Sequence, residues 1–416
     1  MITIGIHGLA SQSGRAFFAD YASKNYKVIG YNRLSDHGVA VINEINKQGG
    51  IYLERPLNTN NEISHFVPLN NCKVTNDISV LVSESDLIII ALPSIFQIDA
   101  VKEMAMAGLK EKNTAIILAP SRTIASPYIW QIMGDEYPVA CFSTCPYSCK
   151  APALGTSLIK RRKRTWAISL EGQFTEKQKD ILRELFPQAA ISKVPALTSL
   201  NNIGAVFHCA TYLLNYENIK RSEQSGEIFS FYMDGIASRP EVGEVLESID
   251  QVRLQIADKL GLSTFGLKEN PREDIWRKLT NGLRALEEEH EGEIDILRKL
   301  RRLFSEYLST SIISAQHWLD ITYGVNRIEG ESLSHAIGRT PTYQKNSVPQ
   351  ERYMTEDIPT GLVPFEALAK MLDINSAPIT SIIDEYECRF DPNVRVKGRN
   401  LNDFSKEQIL KYLKGE

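Results

Sequence analysis

The chain has 416 residues, 47 basic against 51 acidic, a net charge of −4 and 43% hydrophobic content. That length buries a full core, most simply in two domains, and nothing in the charge balance favours a nucleic-acid backbone or an anionic membrane as the main partner. Six cysteines, at 72, 141, 145, 149, 209 and 388, form no CxxC pair and no zinc-like spacing, and no basic-then-apolar leader follows Met1. A reducing, cytoplasmic setting with no bound metal is the expectation. The longest apolar run, Leu87–Leu92, falls far short of the roughly 20 residues that cross a bilayer.

In chain order, short β-branched runs predict strands at Ile2–Ile6, Lys27–Tyr31, Cys72–Thr75, Leu87–Leu92, Thr114–Leu118, Val139–Ser143 and Thr165–Leu170, with amphipathic segments between them. This alternation predicts a parallel, doubly wound sheet of the Rossmann type. The basic run Lys160–Arg164 reads as a solvated turn before the last strand. After Val194-Pro195 the β-branched runs stop and helical periodicity takes over, which places a domain boundary at 195/196. The expected fold is therefore α/β followed by all-α. In the second half, Ile294, Leu297, Leu300, Phe304, Tyr307 and Leu308 recur at helical spacing. That stripe needs a neighbour in its own chain or in a second copy, so a homodimer is among the expected assemblies. Glu287–Glu291 just before it reads as a solvated helix face or a helix start.

The first strand runs directly into "GIHGLASQSG", residues 5–14, and a helix predicted over Arg15–Ser23 follows. A glycine turn between strand and helix lets backbone N–H groups approach a pyrophosphate, with the helix dipole behind them. Gly8 opens the turn; Ala10 and Ser13 fall at the offsets of the second and third glycines, or Gly14 serves as the third with one residue inserted. The small Ala10, Ser11 and Ser13 keep the turn free of bulk, and Leu9 is a further expected cofactor contact. His7 reads as structural. Where the second strand ends, an acidic residue would bind the ribose of NAD; here stand Asn32, Arg33 and Ser35. Arg33 is a cation suited to a 2′-phosphate, so NADP(H) is expected over NAD(H). Ala91-Leu92-Pro93-Ser94 and Ala119–Arg122 follow strands at their carboxyl ends and are the candidate contacts for the nicotinamide half.

Three further stretches bear a resemblance to a known family. "CPYSCK" (Cys145–Lys150), "LTSLNNIGAVFHCATYLLN" (Leu197–Asn215) and "RYMTEDIPTGLVPFEALAKML" (Arg352–Leu372) resemble segments of the opine dehydrogenases, the family of the octopine and nopaline enzymes. The resemblance implies an NADP-binding domain over 1–195 and a helical substrate and catalytic domain over 196–416. It also implies the reaction: an amino-acid-type amine and an α-keto acid, pyruvate or 2-oxoglutarate, condense to an imine that takes a hydride from NADPH. Carried over by position, His208 is the general acid/base, Asp357 orients and polarises it, and Arg352 binds a substrate carboxylate. Tyr147, Asn202 and Thr355 are further expected substrate contacts. One departure is visible, because most relatives carry proline after the histidine and this chain carries Cys209.

These residue types suit the chemistry on their own account. Histidine titrates near neutrality, a carboxylate on one ring nitrogen fixes its tautomer, and arginine grips a carboxylate bidentately. The helical sequence between Lys268 and Ala315, together with Phe142-Ser143-Thr144, resembles the staphylopine-like metallophore branch, which implies a bulky nicotianamine-like amine. Thr355–Pro364 instead resembles the branch that uses small amino acids. Two rival readings remain open at this point: a ketopantoate-type or β-hydroxyacid reductase, and a nonenzymatic NADP-binding sensor.

Overall fold

The structure, a computed structural model, describes residues 2–56, 62–163, 166–266, 273–325, 328, 330–344, 348 and 351–416. The chain divides into two compact units. One comprises Met1–Ser121, Ala125–Pro195 and Arg301–Glu306, and the other Arg122–Ile124, Ala196–Leu300 and Tyr307–Glu416.

Among its described residues the first unit carries twelve strands: β1 (Thr3–His7), β2 (Lys27–Tyr31), β3 (Gly50–Pro56), β4 (Glu62–Pro68), β5 (Lys73–Thr75), β6 (Leu87–Ile90), β7 (Ala115–Leu118), β8 (Val139–Phe142), β9 (Tyr147–Lys150), β10 (Thr156–Arg162), β11 (Ala167–Glu171) and β12 (Ala190–Ser192). Eight of them form the main sheet in the order β12-β11-β8-β7-β6-β1-β2-β5. Its pairs are parallel except β11 with β8, which is antiparallel. β1, β6, β7 and β8 are buried throughout, and the sheet is covered by α1 (Gln12–Ala22), α2 (Asp36–Gln48), α3 (Ile78–Glu84) and α4 (Gln97–Met106) among others. Continuous apolar strands of this kind are what a sheet covered on both faces requires.

The strand order reverses between β1 and β6, so the carboxyl ends of β6, β1 and β2 stand side by side at the point where open α/β sheets bind ligands. This is the α/β architecture expected from the sequence, and the second unit supplies the expected helical part.

A second sheet, of order β4-β3-β10-β9, had no counterpart in the sequence reading. It changes the meaning of the basic run. Lys160, Arg161 and Arg162 lie within β10 rather than in a solvated turn, and Arg162 pairs with the fully buried carboxylate of Asp20 on α1. Arg164 and Thr165 lie outside the described residues. Asp20 also accepts from the Tyr147 hydroxyl at 2.7 Å, and Arg162, Lys24 and Tyr147 together hold its carboxyl down at about 2 although burial alone would raise it. Tyr147, expected at the substrate, is thus a buried residue of this core, with its ring edge against Phe17.

The second unit is built around the helix Pro240–Lys259, on which the helices Ile203–Leu214, Leu333–Gly338, Val363–Met371 and Ala377–Arg389 pack. Two short parallel strands, β13 (Ser263–Phe265) and β14 (Ser311–Ile313), interrupt the helical texture. The stripe predicted from Ile294 lies on the helix Ile294–Leu308, with Phe304 buried and Ile294 exposed. Glu287–Glu289 end the helix Glu273–Glu289 rather than starting one, and Lys268 lies outside the described residues. No described helix is long and apolar enough to cross a membrane.

One buried cation locks the start of the histidine-bearing helix. Arg253, wholly buried, donates to Asp250 at 2.9 and 2.6 Å and to the carbonyls of Leu200 at 2.8 Å and Ile313 at 2.5 Å. Asp250 in turn accepts from the Ala315 amide at 2.7 Å. Removing the cation strands a buried carboxylate and two carbonyls, so Arg253→Met is expected to cost about 3–5 kcal/mol, read as a lower midpoint in urea with an unchanged slope.

Candidate functional site

The cofactor turn is fixed by the chain around it. Gly8 sits at φ +94°, a conformation that L side chains rarely adopt, and a Cβ there would come within 2.6 Å of Leu92. A Cβ on Gly14 would lie 2.1 Å from the Gly8 carbonyl oxygen. Gly14 is therefore the glycine that lets α1 pack tightly on the turn, which the sequence pattern left open.

Ser11 caps α1 by accepting from the Gly14 amide at 2.8 Å, and its hydroxyl donates to the Ala91 carbonyl at 2.7 Å. Ser13 also donates to Ala91, at 3.3 Å. The amides of Gly8 and Leu9 both donate to the Tyr31 carbonyl, and the Ala10 amide donates to the Asn32 side chain at 3.1 Å. What remains is the start of α1, whose Gln12 and Ser13 amides face away from the helix's own hydrogen-bond ladder. A bulk-free turn with a capped helix N-terminus behind it fits a dinucleotide pyrophosphate.

The other expected cofactor residues gather at the same strand ends. Leu92 packs against Gly8 and Pro93 precedes the turn Ser94–Phe96. Ser35 caps α2 by accepting from the Gly38 amide at 3.1 Å. Asn32 serves mainly as a latch, holding Ala10 and donating to the Arg33 carbonyl at 3.0 Å. Arg33 is half exposed and its Nε lies 2.5 Å from Glu103 on α4. Glu103 also accepts from the Tyr31 hydroxyl and lies 3.5 Å from Nε2 of the buried His7. Burial pushes His7 below its ordinary value, while the nearby His7, the Tyr31 hydroxyl and the Arg33 guanidinium hold Glu103 at about 2 despite partial burial. His7 is thus a neutral neighbour of an ionised carboxylate, and Glu103 was not foreseen in the sequence.

In the second unit the structure brings His208 and Asp357 together. They are 149 positions apart, and Nδ1 of His208 lies 2.7 Å from Oδ2 of Asp357. His208 lies on the helix Ile203–Leu214, which runs unbroken through the buried Cys209, so Cys209, where the resemblance led one to expect proline, leaves the helix regular. Asp357 ends the helix Arg352–Asp357 and opens a π-helical turn, Ile358–Leu362, before the helix Val363–Met371 begins. Pro359 has no amide for regular helical hydrogen bonding, and a widened turn is the outcome. That turn presses on the histidine helix: a Cβ on Gly361 would lie 2.6 Å from the Ala205 Cβ.

Arg122 completes the arrangement. Its Nη2 forms an ion pair with Asp357 Oδ1 at 3.1 Å, its Nε donates to Glu356 at 3.3 Å and its Nη1 to Asn202 at 3.2 Å. The residue sits in the left-handed region at φ +62°, a backbone strain of about 1–3 kcal/mol that persists because the buried partners fix it. Burial alone would raise the Asp357 carboxyl; the Arg122 charge and then the His208 hydrogen bond hold it below the ordinary aspartate range. Asp357 and Glu356 in turn keep Arg122 firmly protonated. A carboxylate can only accept, so His208 donates through Nδ1–H and its Nε2 is the nitrogen left for proton transfer.

The remaining expected residues fall around this core in different ways. Asn202 is buried and committed to Arg122 and Thr123, so it holds Arg122 in place. Thr355 donates to the Arg352 carbonyl at 3.2 Å on the exposed side of its helix. Arg352 is exposed, with its guanidinium 5.8 Å from the centre of the Tyr353 ring. Tyr353, unforeseen in the sequence, stacks on His208 with ring centres 4.3 Å apart and planes 22° from parallel. Its position beside Arg352 was the available signal. No group of three or more His, Cys, Asp or Glu among the described residues could hold a metal ion.

Residues 195–387 match the family described as NAD/NADP octopine/nopaline dehydrogenase, alpha-helical domain. The chain is 22% identical to an opine dehydrogenase of Arthrobacter sp. (strain 1C), over 96% of this chain and 94% of that protein. Its fold is similar to that of an octopine dehydrogenase solved with NADH and L-arginine, at a TM-score of 0.72 and 15% identity, covering 99% of this chain and 98% of the other. It is also similar to a yersinopine dehydrogenase with NADP+ bound, at 0.57 and 13%, covering 100% and 98%. Residues 195–387 thus carry the alpha-helical domain of the octopine/nopaline dehydrogenases, and the chain as a whole is similar to opine dehydrogenases, which are NAD(P)-dependent oxidoreductases acting on CH–NH donors.

Gly204 tests the site's spacing. A Cβ there would stand 3.0 Å from Arg122 Nη1 and 3.3 Å from both Asp357 Oδ2 and His208 Cε1. Gly204→Ala is therefore expected to lower kcat about tenfold or more through displacement of Arg122, Asp357 and His208, while thermal unfolding and cofactor affinity stay near the parent's.

Proposed function

We propose that the chain joins an amino-acid-type amine to an α-keto acid, pyruvate or 2-oxoglutarate, by reductive condensation with NADPH. The observation that carries the reading is the buried Arg122–Asp357–His208 relay, which leaves one imidazole nitrogen for proton transfer. When bound, the nicotinamide supplies the hydride that reduces the imine carbon. The octopine dehydrogenase that shares this fold has been solved with pyruvate as well as with L-arginine, in keeping with such a substrate pair.

The chain's own residues divide the work. Nε2 of His208 takes a proton from the substrate ammonium so that the amine can attack the keto carbon, and returns one as water leaves the carbinolamine. Asp357 stabilises the imidazolium in between, and Arg122 keeps Asp357 ionised through the cycle. Arg352 holds a substrate carboxylate, and alignment of this kind supplies about 7–11 kcal/mol of a barrier in favourable cases. Residues 1–195 are assigned to NADP(H) binding, with Gly8–Gly14 under the pyrophosphate and Arg33 at the 2′-phosphate; residues 196–416 are assigned to substrate and catalysis. Thr355, near Arg352, is kept as a substrate contact. The amine is taken to be bulky and polycarboxylated, nicotianamine-like, on the strength of the added helices Glu273–Glu289 and Ile294–Leu308.

The test is NADPH consumption by the purified chain with paired amines and keto acids, and the mass of the product. Oxidation should need both substrates and yield the secondary amine. His208→Ala should lose about 10²–10⁴-fold in turnover with NADPH affinity unchanged. NADPH oxidation by the keto acid alone would instead indicate a hydroxyacid reductase, and binding without turnover under any pair a sensor. Turnover with simple amino acids but not with nicotianamine-like amines would overturn the assignment of the amine.

A further inference from the structure

The end of β2 lacks the acidic residue that hydrogen-bonds the ribose of NAD, yet a carboxylate stands there all the same. Glu103 comes from α4, 70 positions along the chain from Arg33, and meets the Tyr31 hydroxyl, Arg33 Nε at 2.5 Å and the buried His7 at 3.5 Å. Its side chain is 22% exposed and that of Arg33 44%, so both open onto solvent beside the cofactor turn. Arg33 is held through Nε alone, and its two terminal amino groups have no partner among the described residues. The site therefore presents an anion-binding fork and a hydroxyl-accepting carboxylate side by side.

We propose that Glu103 is a specificity-determining residue of the cofactor site, supplying from α4 the ribose-binding carboxylate that β2 omits and limiting the preference that Arg33 creates for NADPH. This rests on the reading that Gly8–Gly14 holds the dinucleotide with Arg33 at the adenosine ribose. With a 2′-hydroxyl present, Glu103 accepts its proton in a hydrogen bond. With a 2′-phosphate present, the same carboxylate repels it and competes for the guanidinium. The paired charges thus favour opposite cofactors, and the chain accepts both.

The experiment measures kcat/KM for NADPH and for NADH on the full chain and on its Glu103→Gln, Glu103→Asp and Arg33→Ala variants. Both values come from one preparation, so the folded fraction cancels in their ratio. Glu103→Gln keeps a partner for Tyr31 while removing the charge, and should raise the NADPH/NADH ratio about tenfold, as expected for deleting one like charge near the phosphate. Glu103→Asp, which keeps the charge, should stay closer to the parent. Arg33→Ala should lower the ratio. A ratio that falls with Arg33→Ala but is unmoved, or shifted toward NADH, by Glu103→Gln overturns the inference and leaves the reading of the turn intact. A ratio that moves with neither variant removes both.

Discussion

The second unit depends on a carboxylate held ionised where water cannot reach it. Asp357 is fully buried, and burial alone would protonate it. Arg122 on one oxygen and the Nδ1–H of His208 on the other make the charged form the stable one. A protonated Asp357 would no longer impose the tautomer, and Nε2 would lose the role it takes in the proposed reaction. The function assigned to this chain follows from that electrostatic arrangement more than from any single residue identity.

Much of the surrounding structure exists to keep these three groups at their distances. Gly204 leaves room for the guanidinium, Gly361 lets the π-helical turn lie against the histidine helix, and Asn202 with Glu356 occupies the donors of Arg122 that Asp357 does not use. The Arg253–Asp250 pair anchors Leu200, two residues before Asn202, and so fixes where that helix begins. Tyr353 sets the plane of the imidazole from its face. In the first unit the same economy is seen at the turn, where Ser11, Ser13 and Asn32 spend their hydrogen bonds on tying β1, β2 and β6 together.

The sequence showed most clearly what depends on local pattern. β1, β2, β6, β7 and β8 are buried β-branched runs bounded by turn residues, and they stand where the sequence reading put them. The second sheet escaped because β3, β4, β9 and β10 mix polar and apolar residues on half-exposed surfaces, and because Lys160–Arg162 look like solvent-facing charge until Asp20 is seen behind them. The pairing of His208 with Asp357 was legible only through resemblance, since nothing local joins positions 149 residues apart. Arg122, Tyr353 and Glu103 were unreadable as partners for the same reason: each acts through a contact made in the fold, on a segment whose own pattern says only turn or helix. Tyr147 shows the converse, a residue conspicuous in its motif whose hydroxyl is consumed by a buried aspartate.

The ¹⁵N chemical shifts of the His208 imidazole, assigned by comparison with a His208→Gln variant, test the central claim most directly. The account predicts a neutral ring at alkaline pH with its proton on Nδ1 and a bare Nε2, and an Asp357→Asn variant in which that tautomer is no longer enforced. A parent ring protonated on Nε2, or a tautomer indifferent to the loss of Asp357, would contradict it.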